Sequence, residues 1–586
     1  MRHTFLKRSC HGFCYVKALL LMLICAFNIA PAAATPSRAP AASVDLVVRP
    51  VTRDGQYLAL DVTLRFVGSR NGTTTLSLPN DWAGEQGLYR YVHDLRAEGA
   101  TLHDGDSAAA RVLRHKSSAL VTLSYRVAQP LESVVREKAG NDYRPVIAGS
   151  YFHVLGNAFI ISPDSVPRTA RAKFRLIGLP AAHSFASDLE HHHRSRGLTM
   201  NDLEDSVLVG GDFRVLDAGG GVRLAIRGDW PRNDTEWLNS VREIARSERN
   251  YWADAAAPFL VTILQIPSVR PGATSIGGTG RSDAFAMFAT RNADAATADQ
   301  VIAHEMMHSW IPYLIGGVPD KDEALAYWLS EGFTDWAAWR ALVRGGIWQP
   351  EHFLKVFNDT LHKYDSSPVK ALRNSDVLQR FWQDPFVQKL PYQRGMLVAT
   401  RWDSQIYRST QGRRNFHHVL LRMRDLAKHK RERGSAVALL IRAMRDVANL
   451  DIVPDIEKYV DAGEMLPLDT DAFGICAELR TRERAAFDRG FDVEATIAGG
   501  NVIQGVAPDG NAYRAGLRDG MKLIKREGGE TGNSEIEIRY SVMDGEAARS
   551  LAWLPAGSGL VVLREMMPNT EVANEGRAAC VKRLGG

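Results

Sequence analysis

The fold of the central part of this chain is decided by the stretch His304-Glu305-Met306-Met307-His308 and by a second stretch, Ser330-Glu331-Gly332-Phe333-Thr334-Asp335. Two imidazoles four positions apart project from the same face of an α-helix, so both can bind one metal ion. Apolar residues recur around the first stretch at helical spacing, and Thr297 with Gln300 predicts a capping box just upstream. The first stretch therefore predicts a helix that presents a metal site.

Glu331 supplies the third protein ligand expected of such a site. It lies 23 positions after His308 and opens a second apolar helical stretch, as a ligand from a neighbouring helix should. Three protein donors and an open position for water are typical of catalytic zinc, and Glu305 can act as the general base. The competing explanation is two buried structural histidines and a glutamate that only begins a helix. The spacing predicts one zinc ion bound by His304, His308 and Glu331, as in a metallopeptidase.

Asp335 stands four residues after Glu331 and therefore shares a helix face with that ligand. A carboxylate in this position can accept the free N–H of a ligand histidine and fix its tautomer. An aspartate one turn into a helix can also be solvated and compensate the helix dipole. Both interpretations of Asp335 stay open on the sequence.

The segment Pro391-Tyr392-Gln393-Arg394-Gly395 completes a pattern that points to a family. H-E-x-x-H, then E-G-F-T, then Y-x-x-G resembles the gluzincin peptidases, the thermolysin-like group that includes the glycyl and alanyl aminopeptidases. The likeness is closer to the glycyl aminopeptidase family, since a PDZ-like segment follows. The resemblance implies that Tyr392 donates a hydrogen bond to the oxyanion of the tetrahedral intermediate. Without it, Tyr392 also fits a core aromatic beside a helix start.

A glycine-rich segment upstream of the zinc helix departs from that family. In the resembling aminopeptidases a glutamate of this segment binds the free amino terminus of the substrate, and Gly280 occupies its place here. Either Asp283 replaces the missing anion, or the site accepts peptides without recognising their amino terminus. The residues expected to bind substrate are Gly277, Gly278, Thr279, Gly280 and Asp283.

The same glycines follow a predicted strand at residues 259–264, an arrangement also found in phosphate-binding loops. A dinucleotide-binding loop opens directly into a helix, whereas residues 284–288 alternate and are rich in aromatics, like an edge strand. An edge strand beside the metal lets a peptide add as a further strand through its backbone. The sequence therefore favours peptide binding over nucleotide binding.

The amino terminus predicts export. Four basic residues precede an apolar run at residues 18–30, and Ala32-Ala33-Ala34 forms a small-residue cleavage signal before Thr35. The apolar core of about 13 residues is shorter than a bilayer span, although an uncleaved anchor stays an alternative. We expect residues 1–34 to be a signal peptide, the mature protein to be secreted or periplasmic, and no stable membrane insertion after cleavage.

Removal of that segment lowers the formal net charge from +5 to +1, because it contains four basic and no acidic residues. Neither nucleic-acid binding nor electrostatic membrane docking is then indicated. The cleaved chain keeps only Cys476 and Cys580. In an oxidising compartment these two predict a disulfide, with two buried free thiols as the alternative.

Length and composition predict several soluble domains, in a multidomain α+β fold. Alternating segments predict a β-rich amino-terminal domain over residues 45–232. Helical patterns dominate a thermolysin-like, mostly helical catalytic domain over residues 235–466. Residues 467–586 resemble a PDZ domain, with a strand at 501–508 and a strand after a short helix within 512–524.

Together these features predict zinc-dependent hydrolysis of peptide bonds by an aminopeptidase-like enzyme with a relaxed amino-terminal requirement. The expected partners are peptide substrates and a peptide ligand of the PDZ-like domain. The alternative is a catalytically weak or inactive pseudopeptidase that acts as a PDZ-type peptide-binding protein. A zinc-activated water acting on a non-peptide substrate is a second enzymatic alternative.

Overall fold

A computed structural model describes residues 43–82, 85–129, 143–190, 197–254, 258–268, 274–281, 283–319, 321–428, 435–569 and 574–586. The predicted signal peptide, residues 1–34, lies outside these ranges. Within them, none of the helices combines the length and the apolar character that crossing a bilayer requires.

The described residues between 43 and 211 form three β-sheets, with strand orders β11-β1-β2-β7-β4, β10-β3-β6-β5 and β12-β13-β9-β8. The strands are β1 (Ser43–Arg53), β2 (Gln56–Val67), β3 (Thr73–Ser77), β4 (Val92–Glu98), β5 (Ala100–Asp104), β6 (Ala110–His115), β7 (Leu120–Val127), β8 (Val146–Ala148), β9 (Tyr151–Leu155), β10 (Ser162–Pro163), β11 (Arg171–Leu176), β12 (Ser184–Ser187) and β13 (Val207–Gly211). In β1, alternate residues such as Leu46 and Val48 are buried, as the period of a half-buried strand requires. Two short helices, α1 (Gly156–Phe159) and α2 (Met200–Glu204), connect these strands.

A five-stranded mixed sheet follows, and it carries the glycine-rich segment. Its strands are β14 (Arg214–Gly219), β15 (Val222–Arg227), β16 (Phe259–Ile266), β17 (Ile276–Gly280) and β18 (Ala284–Thr290), in the order β14-β15-β16-β18-β17. Strands β15, β16 and β18 are parallel, whereas β17 runs antiparallel to β18 with Gly278 opposite Met287. The glycine-rich segment is therefore itself the edge of this sheet.

The mixed sheet separates two hydrophobic cores. Leu260 and Leu264 of β16 pack with the amino-terminal sheets, while Val261 and Ile263 pack with the helices that follow. Strand β18 pairs with β16 on one side and with β17 on the other, so the prediction that residues 284–288 form an edge strand is wrong. Alternation among residues that are all apolar carries no information about which edge faces solvent, because such a strand can be buried on both faces.

The mixed sheet also crosses the predicted boundary between the first two domains. Strands β14 and β15 lie before residue 232, yet β15 pairs in parallel with β16. The pairing places the change from amino-terminal sheets to mixed sheet near Phe213 instead. A strand's own sequence does not reveal its partner, so the β pattern of residues 214–227 does not show to which sheet they belong.

Helices dominate the region after β15. They are α3 (Asp234–Trp252), α4 (Ala295–Met307), α5 (Tyr327–Arg344), α6 (Pro350–Asp365), α7 (Asn374–Arg380), α8 (Pro385–Ser409), α9 (Phe416–Lys428), α10 (Ala436–Ala448) and α11 (Val453–Asp455). Helix α5 is buried on nearly all sides, so it is the central helix of this core. Both stretches that open the sequence analysis lie here, on α4 and α5.

The carboxy-terminal part has its own small core around Ile503, Leu517 and Tyr540. Its elements are β19 (Ala477–Phe487), α12 (Val493–Ala498), α13 (Asn511–Arg514), β20 (Lys522–Gly528), β21 (Ile538–Asp544), β22 (Ala547–Trp553), β23 (Ala556–Pro568) and α14 (Asn574–Leu584). Strand β19 pairs with β23, and β20-β21-β22 form a second sheet. The predicted strand at residues 501–508 contains only isolated bridges, at Val502 and Gln504.

Helix α14 returns to the helical core and is fixed there by a disulfide bond and by ion pairs. Cys476 and Cys580 are bonded, with their Cα atoms 5.3 Å apart. Arg340 of α5 and Arg583 of α14 both bind the buried carboxylate of Asp403. Burial alone raises the pKa of Asp403, but the two guanidinium groups outweigh it and hold this pKa below its usual value. The last helix is thereby tied to the helix that carries Glu331.

Candidate active site

Helix α4 positions the two histidines. It begins after Asp294, whose carboxylate accepts the backbone N–H of Thr297 at 2.9 Å. The predicted capping box of Thr297 and Gln300 is therefore wrong, because Thr297 already lies within the first helical turn. A cap must have an extended backbone, which Asp294 has. His304 lies in the last turn of α4, and His308 follows directly after it.

His304, His308 and Glu331 come together where α4 meets α5. The Oε2 atom of Glu331 lies 3.2 Å from Nε2 of His304 and 3.5 Å from Nε2 of His308. One donor atom from each of the three residues lies within 4.8 Å of the other two. All three side chains are largely buried, with exposed fractions of 12% to 16%. The arrangement gathers two imidazole nitrogens and a carboxylate oxygen around one point.

The second nitrogen of each imidazole has an acceptor, which decides whether the cluster fits a metal ion. Nδ1 of His304 lies 2.8 Å from Oδ1 of Asp335, and Nδ1 of His308 lies 2.8 Å from the carbonyl oxygen of Ile311. A carboxylate and a carbonyl only accept hydrogen bonds, so each Nδ1 carries a proton, and Nε2 is the nitrogen of each ring that can bind a metal ion. Two neutral imidazoles and a carboxylate form a donor set that fits zinc. Asp335 lies where the ligand-orienting interpretation places it.

Two glycines bring a third helix close to the site. Helices α5 and α8 cross at Gly332 and Gly395, where a Cβ added to Gly395 would lie 1.7 Å from the carbonyl oxygen of Trp328. Only glycine permits this approach of the two backbones. The E-G-F-T and Y-x-x-G patterns each contain one of these glycines. Their spacing places Tyr392, one turn before Gly395, beside the metal-ligand cluster.

Tyr392 lies within α8 and stacks on the ring of His304, with the two ring centres 5.7 Å apart. Burial raises the pKa of its phenol well above the usual value, and the carboxylates of Glu331, Glu305 and Asp335 raise it further. The phenol therefore keeps its proton at neutral pH. It is a hydrogen-bond donor that points toward the metal-ligand cluster.

Glu305 faces the same space from α4. Burial raises the pKa of its carboxyl group, while the imidazoles of His304 and His308 and the backbone N–H of Gly280 act in the opposite direction. A Cβ at Gly280 would lie 2.9 Å from Oε2 of Glu305, a separation too short for an unchanged geometry. The end of strand β17 therefore touches the carboxylate that is expected to act as the base.

The remaining residues of the glycine-rich segment lie at different distances from this centre. Gly277, Gly278 and Thr279 belong to the edge strand β17 with Gly280. Asp283 follows in the turn to β18, and its charge acts on Asp188 of the amino-terminal part. The structure thus brings Gly280 to Glu305, whereas the charge of Asp283 acts on a carboxylate of the amino-terminal part.

Sequence reasoning missed two buried charged residues near the site. Arg281 is held by Asp205 at 3.2 Å, by the side-chain oxygen of Asn157 at 2.6 Å and by the face of Trp82 at 4.7 Å. Glu248 of α3 is fully buried, and burial raises its pKa well above the usual value. Neither carboxylate oxygen of Glu248 has a hydrogen-bond partner among the described residues. No short motif contains Glu248, and although Arg281 lies in the glycine-rich segment, its partners are distant in sequence.

Comparison with known proteins relates the fold to solved structures only. No protein-family model and no curated protein matches the sequence. The crystal structure of an aminopeptidase N family protein from Idiomarina loihiensis superimposes with a TM-score of 0.64 and 15% identity, over 93% of this chain and 99% of that one. An M1 zinc metallopeptidase from Deinococcus radiodurans gives a TM-score of 0.44 and 14% identity, over 73% of this chain and 96% of that one. The chain therefore has the overall fold of the aminopeptidase N family protein from Idiomarina loihiensis.

Proposed function

We propose that this protein is a zinc-dependent peptidase. The observation that carries the proposal is the cluster of His304, His308 and Glu331, in which both Nδ1 atoms are hydrogen-bonded elsewhere and both Nε2 atoms face the Glu331 carboxylate. A zinc ion bound there supplies Lewis acidity, which lowers the pKa of a water molecule and polarises the scissile carbonyl. The ligands, the base and the tyrosine are all present, so nothing in the site favours an inactive binding protein.

Glu305 moves the proton in this reaction. Its carboxylate takes a proton from the attacking water and delivers it to the nitrogen of the leaving amine. The hydrogen bond from the Gly280 backbone N–H orients the carboxylate for this transfer. The raised pKa of Glu305 matches the base to a proton that must be both accepted and released.

Tyr392 stabilises the charge that develops on the substrate. Its phenol stays protonated because burial and three carboxylates oppose ionisation. It donates a hydrogen bond to the carbonyl oxygen as that oxygen becomes an oxyanion, which contributes about a hundredfold or more in rate. The stacking of Tyr392 on His304 holds the phenol beside the metal ligands.

The activity is aminopeptidase-like, with a relaxed demand for a free amino terminus. Gly280, which takes the place of the ammonium-binding glutamate in the resembling family, has no side chain. A side chain there would also push against Oε2 of Glu305. The charge of Asp283 raises the pKa of Asp188 in the amino-terminal part, which supports a role for Asp283 outside the ammonium site. The aminopeptidase N family name of the superimposed protein agrees with an aminopeptidase-like substrate.

Digestion of a peptide library tests this function. Paired peptides with free and acetylated amino termini are incubated with the zinc-loaded protein, with and without chelator, and with Glu305→Gln as the control. We expect chelator-sensitive cleavage of both sets by the native protein and of neither set by Glu305→Gln. Cleavage of free peptides alone, abolished by Asp283→Asn, contradicts the relaxed requirement and makes Asp283 the anchor.

We also propose that the protein is secreted or periplasmic and that its mature chain begins near Thr35. The pairing of Cys476 and Cys580 supports an oxidising compartment. Sequencing of the amino terminus and thiol labelling of protein taken without reductant test this. Two reactive thiols after unfolding, or a retained residue 1, contradict it.

Residues 467–586 are proposed to bind an extended peptide as a PDZ-like module. The separate small core and the short helix α13 before strand β20 support this. Titration of full-length Glu305→Gln with peptides ending in a free carboxylate tests it, with the carboxy-amidated peptides as controls. Equal binding of the two sets contradicts a PDZ-like mode of recognition.

A further inference from the structure

The outer side of the edge strand β17 offers few free backbone groups. The bonds from Arg281 N to Ala284 O and from Thr290 N to Ser275 O fix the hydrogen-bonding pattern between β17 and β18. Because bonded and non-bonded pairs alternate in an antiparallel ladder, Gly277 and Thr279 bond to β18. Gly278 and Gly280 then turn their N–H and C=O groups away from β18. These outward groups are the ones an added peptide strand needs.

Three of those outward groups already have partners within the chain, and one is the Gly280 carbonyl, which accepts from the Thr279 hydroxyl at 3.4 Å. The Gly280 N–H donates to the carboxylate of Glu305. The Gly278 carbonyl accepts a hydrogen bond of 2.9 Å from the hydroxyl of Tyr143. Tyr143 is buried, and its ring meets Phe288 of β18 edge-on with ring centres 6.1 Å apart. The tyrosine therefore lies across the edge strand and ends its accessible stretch at Gly278.

The other end of the accessible stretch is closed as well. After Gly280 the chain turns, and Arg281 is buried against Asp205, Asn157 and Trp82. These three residues belong to the connections between strands of the amino-terminal part, so that part of the chain covers the turn. A peptide that follows the edge strand past Gly280 meets this covered turn.

We propose that Tyr143 is a specificity-determining residue that restricts the site to short peptides, of the di- and tripeptide class. This inference rests on the proposed function. From Gly280, a paired strand reaches Gly278 after two residues, or about 7 Å at 3.3 Å per residue. Beyond that point the peptide cannot donate a backbone N–H to the Gly278 carbonyl, because the Tyr143 hydroxyl already donates to it. Further residues of a long peptide gain no backbone hydrogen bonds, and the buried ring stands in their path.

The length dependence of hydrolysis tests the proposal. The kcat/KM of the zinc-loaded, full-length protein is measured on peptides of two, three, five and ten residues with one common sequence. We expect the value to fall by about tenfold or more between three and five residues. In Tyr143→Ala the ratio of kcat/KM for three residues to kcat/KM for five residues should shrink to about threefold or less. In Tyr143→Phe the ratio should lie between the values of the native protein and of Tyr143→Ala, because the ring remains but the Gly278 carbonyl is released.

Tyr57→Phe is the matched control, because it removes another largely buried tyrosine hydroxyl, one that bonds His183 in the amino-terminal sheets. The control should keep the native length ratio. Equal kcat/KM for three and ten residues in the native protein overturns the proposal. An unchanged ratio in a folded Tyr143→Phe or Tyr143→Ala overturns it as well.

A binding measurement separates this inference from the proposed function. Tri- and pentapeptides are titrated into Glu305→Gln and into the double variants that add Tyr143→Phe or Tyr143→Ala. We expect the pentapeptide to bind Glu305→Gln no more tightly than the tripeptide does. In the double variants, which lack the Tyr143 hydroxyl, the pentapeptide should bind about tenfold more tightly than it binds to Glu305→Gln. Absence of hydrolysis at every peptide length contradicts the proposed function, whereas an unchanged binding ratio contradicts the role of Tyr143.

Discussion

The metal-ligand cluster and the edge strand β17 face the same space, yet they are built in different ways. The cluster takes its supporting contacts from nearby sequence, with His304 and Asp335 separated by 31 positions and His308 and Ile311 by three. The edge strand takes its contacts from far away, with 135 positions between Tyr143 and Gly278 and 124 between Asn157 and Arg281. The chemistry is therefore local in the sequence, while the shape of the substrate site depends on how distant sheets pack.

Substitution of the ligands and the base breaks the cluster most severely. His304→Ala or His308→Ala should lose both zinc and activity, because only two protein donors remain. Glu305→Gln should keep its zinc and lose about a thousandfold in kcat, since the amide cannot accept the proton. Metal analysis and steady-state kinetics on the three variants check this. An empty site in Glu305→Gln refutes its assignment as base.

Gly280→Ala tests a contact that joins the two regions. The added Cβ would lie 2.9 Å from Oε2 of Glu305, so the carboxylate must move. We expect kcat to fall by about tenfold to a hundredfold while zinc content stays the same. Gly559→Ala is the control, because a Cβ there meets its neighbour at an ordinary 3.6 Å. Full activity in Gly280→Ala shows that the edge strand does not constrain the base.

Asp335→Asn sharpens the local side of the comparison. The amide no longer holds the proton of the His304 Nδ1 as a carboxylate does, so the lone pair on Nε2 becomes a weaker ligand. Zinc affinity should fall by about tenfold to a hundredfold, measured by competition with a chelator. Asp359→Asn, which removes a surface carboxylate paired with Lys355, should leave the affinity unchanged. Equal zinc affinities of Asp335→Asn and Asp359→Asn contradict a role of Asp335 in orienting His304.

Asp188→Asn probes the amino-terminal part that packs against the edge strand, through the pH dependence of stability. Of these substitutions, it has the smallest expected effect. Burial, and then the charges of Asp205 and Asp283, raise the pKa of Asp188 from 3.8 to about 8 in the folded protein. The folded state then binds one more proton between these values. The contribution of Asp188 to stability is complete below pH 3.8 and is lost as pH rises through about 8, with a slope of up to about 1.4 kcal/mol per pH unit.

The amide introduced by Asp188→Asn cannot titrate, so the variant lacks the contribution of Asp188 to the change of stability with pH. Urea unfolding at pH 5 and pH 8 should show Asp188→Asn becoming more stable relative to the native protein at the higher pH. The same difference at both pH values means that Asp188 does not titrate in this range.

Much of the chemistry could be predicted from the sequence. Helical periodicity places His304 and His308 on one face, and the same rule places Glu331 above Asp335, because both pairs are four residues apart. The structure brings these residues together as that spacing predicts. A helix period is a local property, so it holds whatever the helix packs against. The Y-x-x-G segment likewise carries its own reason, since Gly395 allows α8 to approach α5.

Only the tertiary structure decided what surrounds that chemistry. Residues 284–288 have the composition of a strand, but pairing with β16 on one side and with β17 on the other makes β18 internal and leaves β17 at the edge. The closure of β17 by Tyr143 and Arg281 depends on partners from the amino-terminal sheets. Strand pairing and side-chain contacts over such separations are set by the packing of whole sheets. The local sequence around each contacting residue does not indicate which distant residue it will contact.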